Sequence, residues 1–363
     1  MNKKLIAIVV ATALAPAAAM AATQTINITS DITIYGLVHV DVAGISGIAA
    51  NTNKTSVNSN SSRFGVKGSK DLGMGGLKGM FQLESGVNAV GGTVPDGNGG
   101  LATGQVFSNA RDMFIGLAGG FGTVKAGRMD GANAWAYDSD LFADQLGDAG
   151  NFNSGRGVGG RLSGILTYQT PDMSGLKAGL TYIPAASLDA GATTGKSSYG
   201  AKLDYANLGF GGHLTYFKVS TTAALVTTDN MNTSVAGSYD FGNGMVTAQY
   251  VKSKQDIAAA STTQNIYNIG GKFNVSSNGA IKAQYSRAGN LTGTADSGAN
   301  MFAIGYDHKL SDAMGMYVVY AKTTNETNAK FAVDNYGHGG KAGTLAVIGE
   351  DPSAFGIGLT YSF

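Results

Sequence analysis

Phe355-Gly-Ile-Gly-Leu-Thr-Tyr-Ser-Phe363, the last nine residues, alternate without a fault. Phe355, Ile357, Leu359, Tyr361 and Phe363 fall on one side, and Gly356, Gly358, Thr360 and Ser362 on the other. Period two means a β-strand with one apolar and one polar face. A chain ending on such a strand leaves a row of unpaired N–H and C=O groups unless another strand covers it. The first strand of the same chain is the natural partner, which makes Tyr361 and Phe363 the candidate residues of a barrel closure. The competing reading is the last strand of a soluble sandwich.

Working outward, the other end of the chain runs Met1-Asn-Lys-Lys4, then apolar from Leu5 to Ala15, then Ala19-Met20-Ala21. A charged start, an apolar run too short to span a bilayer and an A-x-A site predict a cleaved signal peptide over residues 1–21. Residues 22–363 are then one domain. The formal charge of +1 turns slightly negative once Lys3 and Lys4 leave with the leader, so nothing points to nucleic acid as a partner. With 0 Cys the chain forgoes disulfides and lacks the usual zinc and thiol ligands. The 55 Gly, 5 Pro and 13% charged residues suit strands and turns. No later segment is apolar for about 18 residues, so a membrane protein with this sequence is a barrel.

Asp31 to Val42 alternates with Ile32, Ile34, Gly36, Val38, Val40 and Val42 on one face. In the next two strands Arg63, Lys67, Lys78, Gln82 and Glu84 oppose Phe64, Val66, Leu77, Phe81 and Leu83, so the charges line the inside. Arg111 to Leu117 and Thr123 to Arg128 follow, joined at Gly119-Gly-Phe-Gly122, and Arg161 opens a sixth strand after the stretch Met129 to Gly160. From Tyr168 a repeat sets in: a strand ends in an aromatic, a short polar turn follows, and the next strand climbs to another Tyr, as in Tyr205 to Tyr216 and Tyr239 to Tyr250. Counting these hairpins predicts sixteen strands, seven short turns and eight longer loops. The descending tyrosines predict an aromatic girdle beside the short turns, while the ascending ones stand low for an upper girdle. The outward faces of strands one to five carry no tyrosine, which predicts that this arc meets protein rather than lipid.

Taken in order, Tyr35-Gly36, Ser62-Arg-Phe-Gly-Val-Lys-Gly68, Arg111 with Gly116-Leu117, Phe121-Gly-Thr123, Gly127-Arg128, Arg161 with Tyr168 and Pro171, and the final Phe363 resemble the sixteen-stranded general diffusion porins of Gram-negative outer membranes. The resemblance covers essentially the whole mature chain. It implies an all-β transmembrane antiparallel barrel with short periplasmic turns, long outer loops and the third loop folded into the lumen. It also implies a homotrimer in outer-membrane lipid, a C-terminal strand read by the barrel-assembly machinery, and no enzymatic activity or cofactor. In the family, acidic residues of the third loop face wall arginines at the narrowest point. Carried over, the wall residues are Arg63, Arg111, Arg128 and Arg161, and the loop residues are Asp138, Asp140, Asp144 and Asp148, with Asp130 and Arg156 nearby. The Pro-Glu-Phe-Gly-Gly stretch of one branch is absent from this loop, which leaves open which Asp is narrowest.

Opposed rows of fixed charge across an aqueous gap orient polar solutes and bias ion choice. The bland reading is a wet acidic loop beside locally balanced arginines. Asp138-x-Asp140-x-x-x-Asp144 has the rhythm of a calcium loop, but positions five and six would be Phe142 and Ala143. The four histidines, His39, His213, His308 and His338, form no metal or triad spacing. Asp112 falls on the outward face by parity, at a bulge, a rim or a subunit contact. Two functional readings follow: a water-filled channel for small hydrophilic solutes and ions, or a structural or adhesive barrel with an occluded lumen. Ion selectivity is undecided, since the strand faces lean basic and the loop acidic.

Overall fold

Every described strand pairs antiparallel with its neighbours, and the two ends of the order meet. The structure is a computed structural model describing residues 31–48, 54–90, 107–130, 139–153, 160–185, 196–223, 226–258, 260–339 and 347–363. The expected leader over residues 1–21, Asp138 and Arg156 lie outside the described residues.

The strands are β1 (Ile32–Ser46), β2 (Lys54–Ser59), β3 (Arg63–Asp71), β4 (Lys78–Val87), β5 (Phe107–Gly119), β6 (Gly122–Asp130), β7 (Arg161–Gln169), β8 (Leu176–Ile183) and β9 (Ser198–Asn207). The series continues with β10 (Phe210–Ala223), β11 (Val226–Asp240), β12 (Gly244–Ile257), β13 (Ala260–Asn274), β14 (Gly279–Ala288), β15 (Ala299–Lys309), β16 (Met314–Asn325) and β17 (Ser353–Ser362). β2 and β3 pair with the upper and lower halves of β1 respectively. They are one wall strand broken at Asn60-Ser-Ser62, so the closed barrel has 16 strands. At the break, Ser62 Oγ accepts from His39 N and donates to His39 O, substituting a side chain for a ladder rung.

Closure is made by β1 on β17, with Val38 opposite Tyr361 and Val42 opposite Ile357. Gly36 and Phe363 complete it by exchanging two backbone hydrogen bonds of 3.0 and 3.2 Å. Gly36 must be glycine, because a Cβ there would lie 2.4 Å from the Phe363 ring and 2.9 Å from the Arg63 carbonyl. Ile34, Val38, Val42, Phe355, Ile357, Leu359 and Tyr361 are exposed, whereas His39, Asp41 and Ala43 are buried inside. Alternation therefore puts the apolar side chains outside, as a lipid-facing barrel requires and a water-soluble one would not tolerate.

The outward aromatics fall into two rows. Tyr182 stands opposite Tyr199, Tyr250 opposite Tyr267, Tyr285 opposite Phe302 and Tyr320 opposite Phe355, forming an upper row. Phe210 stacks on Tyr239 at 4.5 Å in the lower row, with Phe273 and Phe363. The upper row takes half its members from descending strands, a pairing that single-strand reading does not reveal. From Phe273 to Tyr267 the rows stand roughly 15 Å apart for a strand tilted about 40°.

Two expected longer loops are not long: β10 to β11 and β12 to β13 leave only residues 224–225 and 258–259 between strands. These strands instead run to 14 or 15 residues. Strand length in place of loop length is the physical difference. Among the described residues no helix is long and apolar enough to cross a membrane, and the only one that concerns the lumen, α1 (Gly150–Asn153), belongs to the third loop.

Candidate functional site: the charged lumen

The described part of the third loop, residues 139–153, is held inside the barrel by an apolar seat and a polar clamp. Phe142 and Leu146 are fully buried against Ala303, Val319, Ala321, Val333 and Tyr317. Burying two such side chains stabilises the seat by about 1.5–3 kcal/mol each. The wall makes room with small residues: a Cβ on Gly356 would lie 3.0 Å from Leu146 Cδ1. From β14, Lys282 Nζ donates to Leu141 O and Gln145 Oε1, both at 2.9 Å, pairs with Asp307 at 3.0 Å and lies over the Phe142 ring. Gln284 Oε1 accepts from Leu141 N at 2.8 Å, and Asn268 Nδ2 from β13 donates to Ser139 O.

The loop aspartates do different jobs. Asp140 accepts from Phe142 N, Ala149 N and Gln284 Nε2 at 2.9–3.1 Å. Asp148 accepts from Asp144 N at 2.7 Å and Gly150 N at 2.6 Å. Both are buried and turned into the loop, tying its own backbone. Asp144 instead approaches Arg63, with Oδ2 3.9 Å from Nη1. Burial raises the Asp144 carboxyl above its ordinary range, and the neighbouring Arg63, a Ser61 hydrogen bond and Arg111 only partly offset this. Burial and the neighbouring Asp140 and Asp144 push Asp148 well above it.

The arginines also divide. Arg111 Nε sits 2.5 Å from Glu84 Oε1, whose other oxygen accepts from Tyr35 OH at 2.8 Å. Arg161 pairs with Asp112 at 2.5 Å and Asp130 at 3.7 Å. Arg128 bonds Ala110 O at 2.9 Å and Ser163 Oγ at 3.0 Å. The parity puzzle at Asp112 has a simple cause. Leu83 pairs with Met113 and Ser85 with Ala110, so the single residue Glu84 opposes both Arg111 and Asp112. This bulge resets the alternation. Sequence reading thus placed the four arginines among the wall charges but missed Glu84, Asp112 and Asp130 as their partners. It also missed Lys282 and Gln284 as the clamp. The inward face of β13 and β14 also carries Asn268, Lys272 and Ser286, so a Lys and a Gln two residues apart gave no signal that separated them from their neighbours.

Elsewhere the inward wall mixes polar side chains, Thr215, Asn232, Ser234, Thr247 and Gln249 on β10 to β12, with the apolar Phe217, Val219 and Val251 of the same strands. A closed barrel with an apolar exterior, aromatic rows and a charged, loop-narrowed interior is an outer-membrane β-barrel. The sequence profile of the Gram-negative porins matches residues 7–329. Outer membrane porin protein 32 of Delftia acidovorans is 30% identical over 284 residues, 74% of this chain and 75% of that protein. Major outer membrane protein P.IB of Neisseria gonorrhoeae is 32% identical over 225 residues, 58% of this chain, and the chain spans 55% of its length. Among solved structures, the anion-selective porin from Comamonas acidovorans superposes with a TM-score of 0.78 at 24% identity, covering 92% of this chain and 99% of that one. The chain belongs to the Gram-negative porin family, and its place is the outer membrane.

Proposed function

We propose that this protein is a passive channel for small hydrophilic solutes and ions, narrowed where Arg63 faces Asp144. The observation that carries the reading is the asymmetry of the lumenal charges. Asp140 and Asp148 are turned into the loop, Arg111 and Arg161 lie on wall carboxylates, and Arg63 with Asp144 form a looser 3.9 Å pair. Lys67 and Lys125 add basic groups over the Tyr35 and Phe114 rings. Fixed charge in a narrow aqueous passage sets ion preference, and this balance favours anions, in keeping with the similar anion-selective porin from Comamonas acidovorans.

Single-channel recording in a planar bilayer tests the proposal. Ohmic steps are expected, with a reversal potential in a salt gradient on the anion side and moved toward cations by Arg63→Ser with Arg161→Ser. Purified folded barrels that give no steps would favour the occluded-lumen reading, to which the burial of Val333 and His338, from the loop between β16 and β17, inside the barrel lends support. Steps with an unmoved reversal potential would remove Arg63 and Arg161 from the narrow point.

We also infer a homotrimer, supported by the exposed Ile34, Val38, Val42, Val57, Leu83 and Ile115 on β1 to β5, an arc without outward tyrosine. The C-terminal strand ending on Phe363 is proposed as the signal read by the barrel-assembly machinery. Deleting Phe363 should lower the yield in the outer membrane, and an undiminished yield would count against that role.

A further inference from the structure

The last outer loop, between β16 and β17, does something that loop length alone does not require: its inner part enters the barrel and meets the third loop. Val333 is fully buried, and its carbonyl accepts from Gly147 N at 2.9 Å. Asn335 N and Tyr336 N both donate to Asn151 Oδ1, at 2.8 and 2.9 Å. The Phe331 ring packs on Phe152 at 4.8 Å. Gly337 lies flush on Asp144: its φ is +67°, and a Cβ there would fall 2.5 Å from Asp144 Oδ1 and 2.9 Å from Asp144 Cα.

The same segment is tied to the wall that carries Arg63. Ser61 Oγ donates to Gly337 O at 3.0 Å, and Gly339 N donates to Asn60 Oδ1 at 2.9 Å. His338 Nε2 bonds Asp41 Oδ2 at 2.7 Å, with both side chains fully buried. Asp41 is completed by Asn58 Nδ2 at 2.7 Å and Tyr317 OH at 3.2 Å, and Tyr317 OH reaches His39 Nε2 at 2.9 Å. Residues 60–62 run directly into Arg63, so one short segment of wall touches both the last loop and the pore arginine.

We infer that residues 331–339 are a second constriction element that positions Asp144 against Arg63, latched to β1 through His338 and Asp41. The inference rests on the channel reading above and names how its narrow point is set. Asp144 has a left-handed backbone, φ +60°, and such a residue persists only where its surroundings hold it. Gly337 from above and Asp148 from below are those surroundings. His338 is thus a positioning residue.

The latch is also titratable. Burial alone would lower the His338 imidazole, but the hydrogen bond and charge of Asp41, with Asp334, outweigh it and hold the pKa above the usual value. The groups that meet His338 are Asp41 from β1 and Asp334 from its own loop, with His39 of β1 and Tyr317 of β16 completing the same cluster and Arg63 and Lys282 acting on it through His39, while Asp144 and Asp148 lie against the preceding Gly337. A raised histidine contributes fully below about pH 6.5 and loses its contribution as pH rises through the raised value. The latch is therefore tight in acid and slack in alkali.

Bilayer recordings of the full-length protein test this with His338→Ala, His338→Gln, Asn151→Ala and Asp144→Asn, each first checked for heat-resistant barrel mobility. Conductance of the native protein should rise as pH passes upward through the raised His338 value, above the ordinary imidazole range, and the His338→Gln channel should lack that step. His338→Ala should conduct more than the native channel, and so should Asn151→Ala, which frees the loop pair without touching the histidine. The reversal-potential shift produced by Asp144→Asn should be lost in the His338→Ala background. Native conductance with unchanged His338→Ala and Asn151→Ala channels, or an equal Asp144→Asn shift in both backgrounds, would overturn the inference while leaving the channel reading intact. A native protein without any steps would overturn both.

Discussion

Asp144 is identical in type to Asp140 and Asp148, yet its neighbours set it apart, since of the three it is the one that approaches Arg63. Its carboxyl is raised by burial more than Arg63 lowers it, so the folded chain binds that proton more tightly than the unfolded one. Stability from this residue accordingly falls as pH rises from about 3.9 through the raised value and is flat above it. Protonation also strips Arg63 of its countercharge. The reversal potential should therefore move toward anions as pH falls, beginning above the ordinary carboxylate range, and Asp144→Asn should abolish that movement. A shift of equal size in the Asn variant would assign it to another group. Nothing in the sequence separates the three aspartates, because the distinction lies in which backbone N–H each one meets. Asp112 was ambiguous for the related reason that one extra residue opposite Glu84 cancels parity, and a bulge leaves no mark in composition. Gly36, by contrast, was readable as an outward strand position but not as the socket for Phe363. Gly36→Leu should destabilise the closure by about 1–3 kcal/mol through overpacking, seen as a lower temperature for loss of the heat-resistant form. An unchanged transition would mean the ring moves aside freely.

At the scale of elements, the strands were legible almost throughout, since period two is imposed by lipid on one side and water on the other. Their upper ends were less so: β1 runs to Ser46 rather than Val42, because beyond Val42 the apolar side chains Ala43 and Ile45 turn inward to the third-loop seat while Gly44 and Ser46 face outward, which inverts the pattern. The third loop was legible as acidic and long, but its seat was not. Ala303, Ala321 and Gly356 read as ordinary small strand residues until Phe142 and Leu146 are placed on them. Lys282 gives the seat its polar lock. Lys282→Met keeps the stem and deletes the donors to Leu141 O and Gln145, leaving a buried carbonyl unsatisfied at about 1–3 kcal/mol. The expected result is a barrel that still resists heat but conducts with frequent fluctuations between levels. Quiet steps of native size would show that the apolar seat suffices.

For the whole molecule, the arc of β1 to β5 without outward tyrosine was readable from the chain and is where the subunit contact is proposed. Placing Arg at Val38 or at Val66 should split the trimer into folded monomers on native gels, since a buried unpaired charge at an interface costs several kcal/mol. An assembly intact with both changes would put the contact elsewhere. The last loop's entry into the lumen was not readable at all: its meeting with Asp41 and Asn60 joins residues nearly the whole chain apart, and no local pattern encodes that.

The pairing of β1 with β17 has a consequence in time. Val38 meets Tyr361, so the contact that finishes the molecule has the longest sequence separation in it. Relative to a ten-residue hairpin, that loop is about five doublings longer, an added closure entropy of roughly 3 kcal/mol. Long-range pairing of this kind is slow. Until Phe363 has been synthesised and delivered, no portion of the chain can close, and every shorter piece carries two open edges. A barrel closed at this seam is complete only when β17 reaches β1, so the seam is the last and most costly pairing open to the chain.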